Sequence, residues 1–179
     1  MIKKAKNTKV NSKKQESRIA KELNAKTTIA SGSLYFQKAD VRNDMYLVEA
    51  KTTEKNFYSL TYSTWERIEK QALRDGMRIP LMCIDTLNGE KSFCVLKYND
   101  FITLQLDSYN YIGNISEPIL TDKKSFRITS DLLDIELPSD FGVYSTLIPR
   151  VDVKFVDHRK HLVILDWNDF IVLVNECKE

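Results

Sequence analysis

The chain has 179 residues, 42% of them hydrophobic and 29% charged, with a net charge of +2. That balance supports one core, or one core with a small appendage, and excludes a disordered protein. No apolar run approaches the roughly 20 residues that cross a bilayer, and Met1 to Lys14 is polar where a secretory leader is apolar, so the expectation is a soluble, cytoplasmic protein without membrane contact.

Taken in chain order, the sequence begins with concentrated basic charge. Residues 1–26 hold nine Lys or Arg against Glu16 and Glu22, which leaves this segment at +7 and the other 153 residues at −5. Residues 1–11 read as a flexible basic arm. Its Lys3, Lys4, Lys6 and Lys9, with Lys13 and Lys14 just beyond, either attract nucleic-acid phosphates or form a solvated tail. Ser12 and Gln15 have the form of a capping box that opens a helix with the stripe Glu16, Ile19, Ala20, Leu23, ending near Asn24. Ser31-Gly32-Ser33 marks a turn, Leu34 to Val41 reads as extended, and Asn43-Asp44 as the hairpin turn before a strand from Met45 to Lys51. A loop rich in Thr and Lys follows. Ser63 and Glu66 suggest a second capping box, for a helix to Arg74 that carries Trp65, Ile68, Ala72 and Leu73 and stops at Gly76. Strands Ile79–Ile84 and Lys91–Leu96, joined at Asn88-Gly89, precede a short helix around Asp100 to Leu104. Cys83 and Cys94 lie in apolar strand-like runs suited to buried thiols. With Cys177 they are too far apart for a CxxC pair, so neither disulfides nor structural zinc is expected.

The chain also repeats itself. A shift of 69 places Ile79-Pro80 on Ile148-Pro149, Val95–Leu104 on Ile164–Leu173 without a gap, and Lys55-Asn56-Phe57 on Lys124-Ser125-Phe126. Two related strand-strand-helix units are implied, the second beginning near Lys123. Asp100 and Asp169 read as helix caps, and Phe101 and Phe170 as core anchors.

Candidate chemistry lies where charge occupies inward positions. Glu16 shares its helix face with Ile19, Ala20 and Leu23, so it needs a positive partner. Alternation puts Leu47, Glu49 and Lys51 on one face of their strand. With a two-residue turn at Asn43-Asp44, Asp40 falls opposite Leu47 and diagonal to Glu49, within reach of a shared ion. Asp40, Glu49 and the Ala50 carbonyl offer hard oxygen ligands for Mg²⁺, with Mn²⁺ as a substitute and Glu16 as a further ligand. Such an ion polarises a phosphate and acidifies a bound water, while Lys51 orients that water or meets the developing charge. Without an ion, the same residues make a surface hairpin with a cross-strand ion pair.

This order of residues resembles the PD-(D/E)xK nuclease superfamily, and within it the archaeal and phage Holliday-junction resolvases. Glu16 on an early helix, Gly32-Ser33, Asp40, and Glu49-Ala50-Lys51 stand in the family's sequence from about residue 12 to 105, with Ala39 where a proline is usual. The resemblance implies an α/β fold with a restriction-endonuclease-like core, a mixed central sheet flanked by helices, over residues 12–105. A C-terminal strand-strand-helix unit that partly repeats the core occupies residues 106–179. It further implies a Mg²⁺-dependent endonuclease for branched DNA, with Lys51, Glu49, Asp40 and Glu16 catalytic, Ser31, Ser33 and Lys55 at the DNA, and a homodimer making paired cuts. The alternatives are a restriction-type sequence-specific endonuclease and a non-cleaving DNA-binding or assembly protein on the same fold.

Four other groups compete for attention. Asp152-Val153-Lys154, with Asp140 upstream, offers a second acid-x-lysine pattern, and Glu176-Cys177-Lys178 a third without context. His158 and His161 stand at ligand-like spacing beside Asp157, but Asp157 to Lys160 reads as a polar hairpin turn, and both histidines read as solvated. Tyr58, Tyr62 and Trp65 suit core packing better than stacking on bases.

Overall fold

A computed structural model describes residues 2–28, 39–106, 117–134 and 149–176 of the chain. Ser31, Gly32, Ser33, most of the extended segment before Val41, Asp140 and Cys177 lie outside the described residues. The elements are α1 (Ile2–Glu22), β1 (Lys26–Thr27), β2 (Val41–Arg42), β3 (Tyr46–Thr52), β4 (Phe57–Thr61), α2 (Tyr62–Arg74), β5 (Ile79–Thr86), β6 (Lys91–Lys97), α3 (Tyr98–Leu106), β7 (Ile119–Thr121), β8 (Ser125–Thr129), β9 (Arg150–Phe155), β10 (Lys160–Asp166) and α4 (Trp167–Glu176). The architecture is α/β. One mixed eight-stranded sheet runs β1-β2-β3-β5-β6-β10-β9-β7, and β4 and β8 form a separate two-stranded ribbon.

The helical period decides which residues of α1 face inward. Gln15, Ile19 and Leu23 recur every fourth position and are buried, so this stripe, and not the one through Glu16, packs on the sheet. The helix begins at Ile2 instead of Ser12, so the stretch expected as a flexible arm is its first half. It ends as expected: Asn24 turns left-handed (φ 48°), and the Ala25 N–H reaches back to the Ala20 carbonyl at 2.8 Å, closing the carbonyls that a helix terminus leaves open.

In the β2–β3 hairpin, Val41 pairs with Val48 and Arg42 with Leu47, and the turn residues are Asp44-Met45. The expected turn lies one residue earlier. The cause is the Asn43 side chain, whose oxygen accepts the N–H groups of Met45 and Tyr46 at 3.0 and 2.7 Å and so fixes Asn43 as the residue before the turn. Asp40 is therefore displaced from Leu47 toward Glu49.

The loop expected between β3 and α2 contains β4, whose Phe57 to Thr61 pair antiparallel with Ser125 to Thr129 of β8. Thr61, not Ser63, caps α2: its hydroxyl accepts the Thr64 N–H at 3.2 Å. Trp65, Ile68 and Ala72 of α2 then pack with Leu60 and Ile128 of the ribbon on one face of the sheet, against Leu47, Met82, Ile84, Val95, Val153 and Ile164. The opposite face carries α1, α3 and α4, through Ile19, Phe101 and Phe170 among others, on Val48, Cys83, Leu96 and Val163. Phe101 and Phe170 are core anchors, as expected. Asp100 and Asp169 sit inside their first turns, and at α4 Asp166 takes the capping bond, from the Asn168 N–H at 2.7 Å. Because β5 and β6 are covered on both faces, they read as continuous apolar runs without alternation.

The sheet runs unbroken through the boundary expected near residue 105, since β6 of the first unit pairs with β10 of the second from Phe93–Asp166 to Lys97–Leu162.

Candidate active site

Glu49 is the most enclosed charge of the hairpin, 4% exposed beneath α2. A buried carboxylate needs partners, and two cations supply them: Lys51 Nζ and an Arg67 guanidinium nitrogen each lie 2.7 Å from its Oε1. Lys51 also donates to the Ala50 carbonyl at 3.2 Å. Parallel pairing with β5, Glu49 beside Met82 and Lys51 beside Ile84, fixes both side chains on the face that α2 covers.

Asp40 stands where the β2 ladder runs out. Its N–H bonds the Val48 carbonyl at 3.2 Å, and its Oδ2 accepts the Ala50 N–H at 2.8 Å, taking the place of the next backbone partner. Burial pushes the Asp40 carboxyl above its ordinary value, the Ala50 N–H pulls it back, and the charge of Glu49 raises it again. Glu16, half-buried on α1, is raised by burial and next by Asp40. The hairpin thus joins Asp40, Glu49, Ala50 and Lys51, and α1 brings Glu16 beside Asp40.

Two neighbours carry no motif signal. Arg67 comes from α2, adjacent to the buried Ile68. Gln15 is 4% exposed, and its amide donates to the carbonyls of Lys51 at 3.0 Å and Cys83 at 3.3 Å, pinning α1 to the ends of β3 and β5. The spacing Gln15, Ile19, Leu23 was the available clue to Gln15. Nothing local foretells Arg67, whose partner lies 18 residues away.

Of the residues expected at DNA, Lys3, Lys4, Lys6 and Lys9 lie on α1, and their side chains are outside the described residues. Lys13 and Lys14 are exposed on α1, and Lys14 borders a groove of about 140 Å³ with Asn11, Arg18, Thr52 and Asn88. Lys55 is exposed with its ammonium 5.3 Å from the Phe57 ring, and Arg127 covers the same ring at 4.5 Å.

The rival Asp152 is wholly buried between Arg150 at 3.2 Å and His161 at 3.1 Å. Arg150 in turn lies over the Phe101 ring at 4.6 Å. The histidines differ from the solvated expectation: His158 stacks on Tyr62 at 3.6 Å, and His161 on Tyr98 at 4.0 Å. Trp65 is fully buried, and Tyr58 and Tyr62 are half-buried, so all three contribute to the interior.

Among the described residues, no three His, Cys, Asp or Glu side chains stand together as a ready-made metal cage. The donors at the hairpin are nevertheless all oxygens, and Asp40 and Glu16 are carboxylates whose charge burial disfavours, with Glu49 raising Asp40 and Asp40 raising Glu16. An oxygen-seeking divalent cation would relieve that, so the residues fit Mg²⁺ in donor type and charge. No helix among the described residues is long and apolar enough to cross a membrane. Neither a protein-family profile nor a curated protein matches the sequence.

Proposed function

We propose that this α/β body contains a restriction-endonuclease-like core and that the protein is a Mg²⁺-dependent endodeoxyribonuclease acting on branched DNA in the cytoplasm. The observation that carries the reading is the conjunction of Asp40, bonded to the Ala50 N–H, with a buried Glu49 that meets Lys51 on the same strand.

Asp40, Glu49, the Ala50 carbonyl and Glu16 would hold the Mg²⁺, or Mn²⁺ in its place, and the ion would supply neutralisation of phosphate charge and an acidified water. Arg67 holds the Glu49 carboxylate in its rotamer. Lys51, whose ammonium shares Glu49 Oε1 with Arg67, would stabilise the charge that grows on the phosphoryl oxygens. The basic first half of α1, with Lys13, Lys14 and Lys55, supplies salt-sensitive attraction to the phosphate backbone.

Cleavage of a four-way junction and of its linear arms, with and without Mg²⁺, tests the reading. Wild type cuts the junction only with Mg²⁺, and Glu49→Gln binds without cutting. Cleavage by both proteins removes the site, and preference for one linear sequence indicates a restriction-type enzyme. One observation favours a second reading, a non-cleaving DNA-binding protein: Lys51 and Arg67 already neutralise Glu49 without an ion. Tight junction binding with no cut under any divalent ion selects it.

A further inference from the structure

The internal repeat has a geometric counterpart in the sheet. Val95 of β6 lies opposite Ile164 of β10, the residue 69 positions on, and Leu96–Val163 and Cys94–Leu165 exchange under the same shift. A residue facing its own equivalent across antiparallel strands marks a two-fold axis. The flanking pairs obey it too: Met82–Val95 corresponds to Val151–Ile164, and Asp85–Ser92 to Lys154–His161. In the ribbon, Tyr58–Ile128 and Ser59–Arg127 also exchange with each other, so β4 and β8 cross the same axis. At the outer positions, β3 is parallel to β5 and β7 is parallel to β9. The body therefore has the form of a symmetric dimer joined β6 to β10, within one chain.

The symmetry fails at the active centre. Ile119 pairs with Val153, the equivalent of Ile84, so Ile119 occupies the position of Lys51, and Glu117-Pro118 that of Glu49-Ala50. Isoleucine cannot donate to a carboxylate or a phosphate, and proline lacks the N–H that Ala50 gives to Asp40. Twelve residues separate α3 from β7, too few for a second copy of the 21-residue α1 plus the hairpin that carries Asp40.

We propose that the chain is a single-chain pseudodimer with one catalytic and one non-catalytic unit, and that as a monomer it engages two arms of branched DNA and cuts one strand per encounter. This rests on the nuclease reading for its chemistry but not for its symmetry. Because β10 occupies the edge that β6 would otherwise leave open, a two-fold relation between two units already lies within one chain. The second unit contributes binding: Arg127, beside Lys55 over Phe57, comes from β8 and lies near the axis on the ribbon.

Light scattering on the free protein, and on Glu49→Gln with excess junction, is the first measurement. Time-resolved cutting of a supercoiled plasmid bearing an extruded cruciform is the second. The expected mass is 20.8 kDa free and one protein per junction bound, with nicked circles preceding linear product. A doubled mass, or linear product formed directly in one encounter, overturns the proposal. Absence of any cleavage defeats the nuclease reading alone, and the mass then decides the pseudodimer.

Discussion

Asp40 is held where its charge is disfavoured, by burial first and then by Glu49, with the Ala50 N–H in partial compensation. A carboxylate so placed, while it also accepts the Ala50 N–H, is a candidate ligand group as well as a structural one. Asp40→Asn keeps an oxygen for the Ala50 N–H and removes the charge. At neutral pH and without Mg²⁺ the variant should therefore melt higher than wild type, by about 2–4 °C for each kcal/mol relieved, while losing Mg²⁺-dependent cleavage and the added stability that Mg²⁺ gives wild type. Thermal melts of both proteins with and without Mg²⁺ check this, and an unchanged or lower melting point without the ion would show that Asp40 is structural. Asp40, Glu49 and Lys51 were legible because their alternation and order are local properties of a hairpin. Arg67 was not, because its role depends on how α2 lies across β3, which no spacing within either element encodes.

At the level of elements, α1 begins ten residues before the expected Ser12, and two smaller misreadings share one cause, a side chain that competed for the backbone. Asn43 moved the hairpin turn by one residue, and Thr61 took the cap assigned to Ser63. Thr61→Ala should accordingly cost about 1 kcal/mol of stability and Ser63→Ala little, as chemical denaturation of the two variants will show; the reverse ranking would restore the capping box. The ribbon escaped notice because β4 finds its partner 68 residues away in β8. Between elements, Glu69 of α2 bonds Lys160 of β10 at 2.7 Å and Lys97 of β6 at 3.2 Å. Burial pulls the Glu69 carboxyl upward, but the bonds from Lys160 and Lys97 prevail and leave it below its ordinary value. A carboxyl lowered by folding stabilises the protein above its unfolded value, and that contribution is lost as pH falls through the folded one. Glu69→Gln should thus destabilise the protein by about 1 kcal/mol at neutral pH, with the gap to wild type closing under acid; a gap that does not narrow as the pH falls would assign the loss to packing.

On the scale of the whole molecule, one sheet and two cores pass through both halves, and Trp167 of α4 donates to Glu22 of α1 across 145 residues at 2.6 Å. The halves should therefore unfold together, in a single calorimetric transition, and a chain ended at residue 105 should fail to fold, its β6 left as a bare apolar edge. Two separate transitions would refute this. The strand order also carries a consequence for synthesis. The ribosome completes β6 at Lys97, but the strand that closes its free edge is not finished until Asp166. At roughly 5–20 residues per second that interval lasts about 3–14 s, during which Phe93, Val95 and their neighbours have no partner on the side that β10 later takes. The growing chain is most open to capture by chaperones, or by the β6 of a sister chain on the same messenger, within this window. Slowing translation between codons 98 and 166 should therefore lower soluble yield more than an equal delay placed before codon 90.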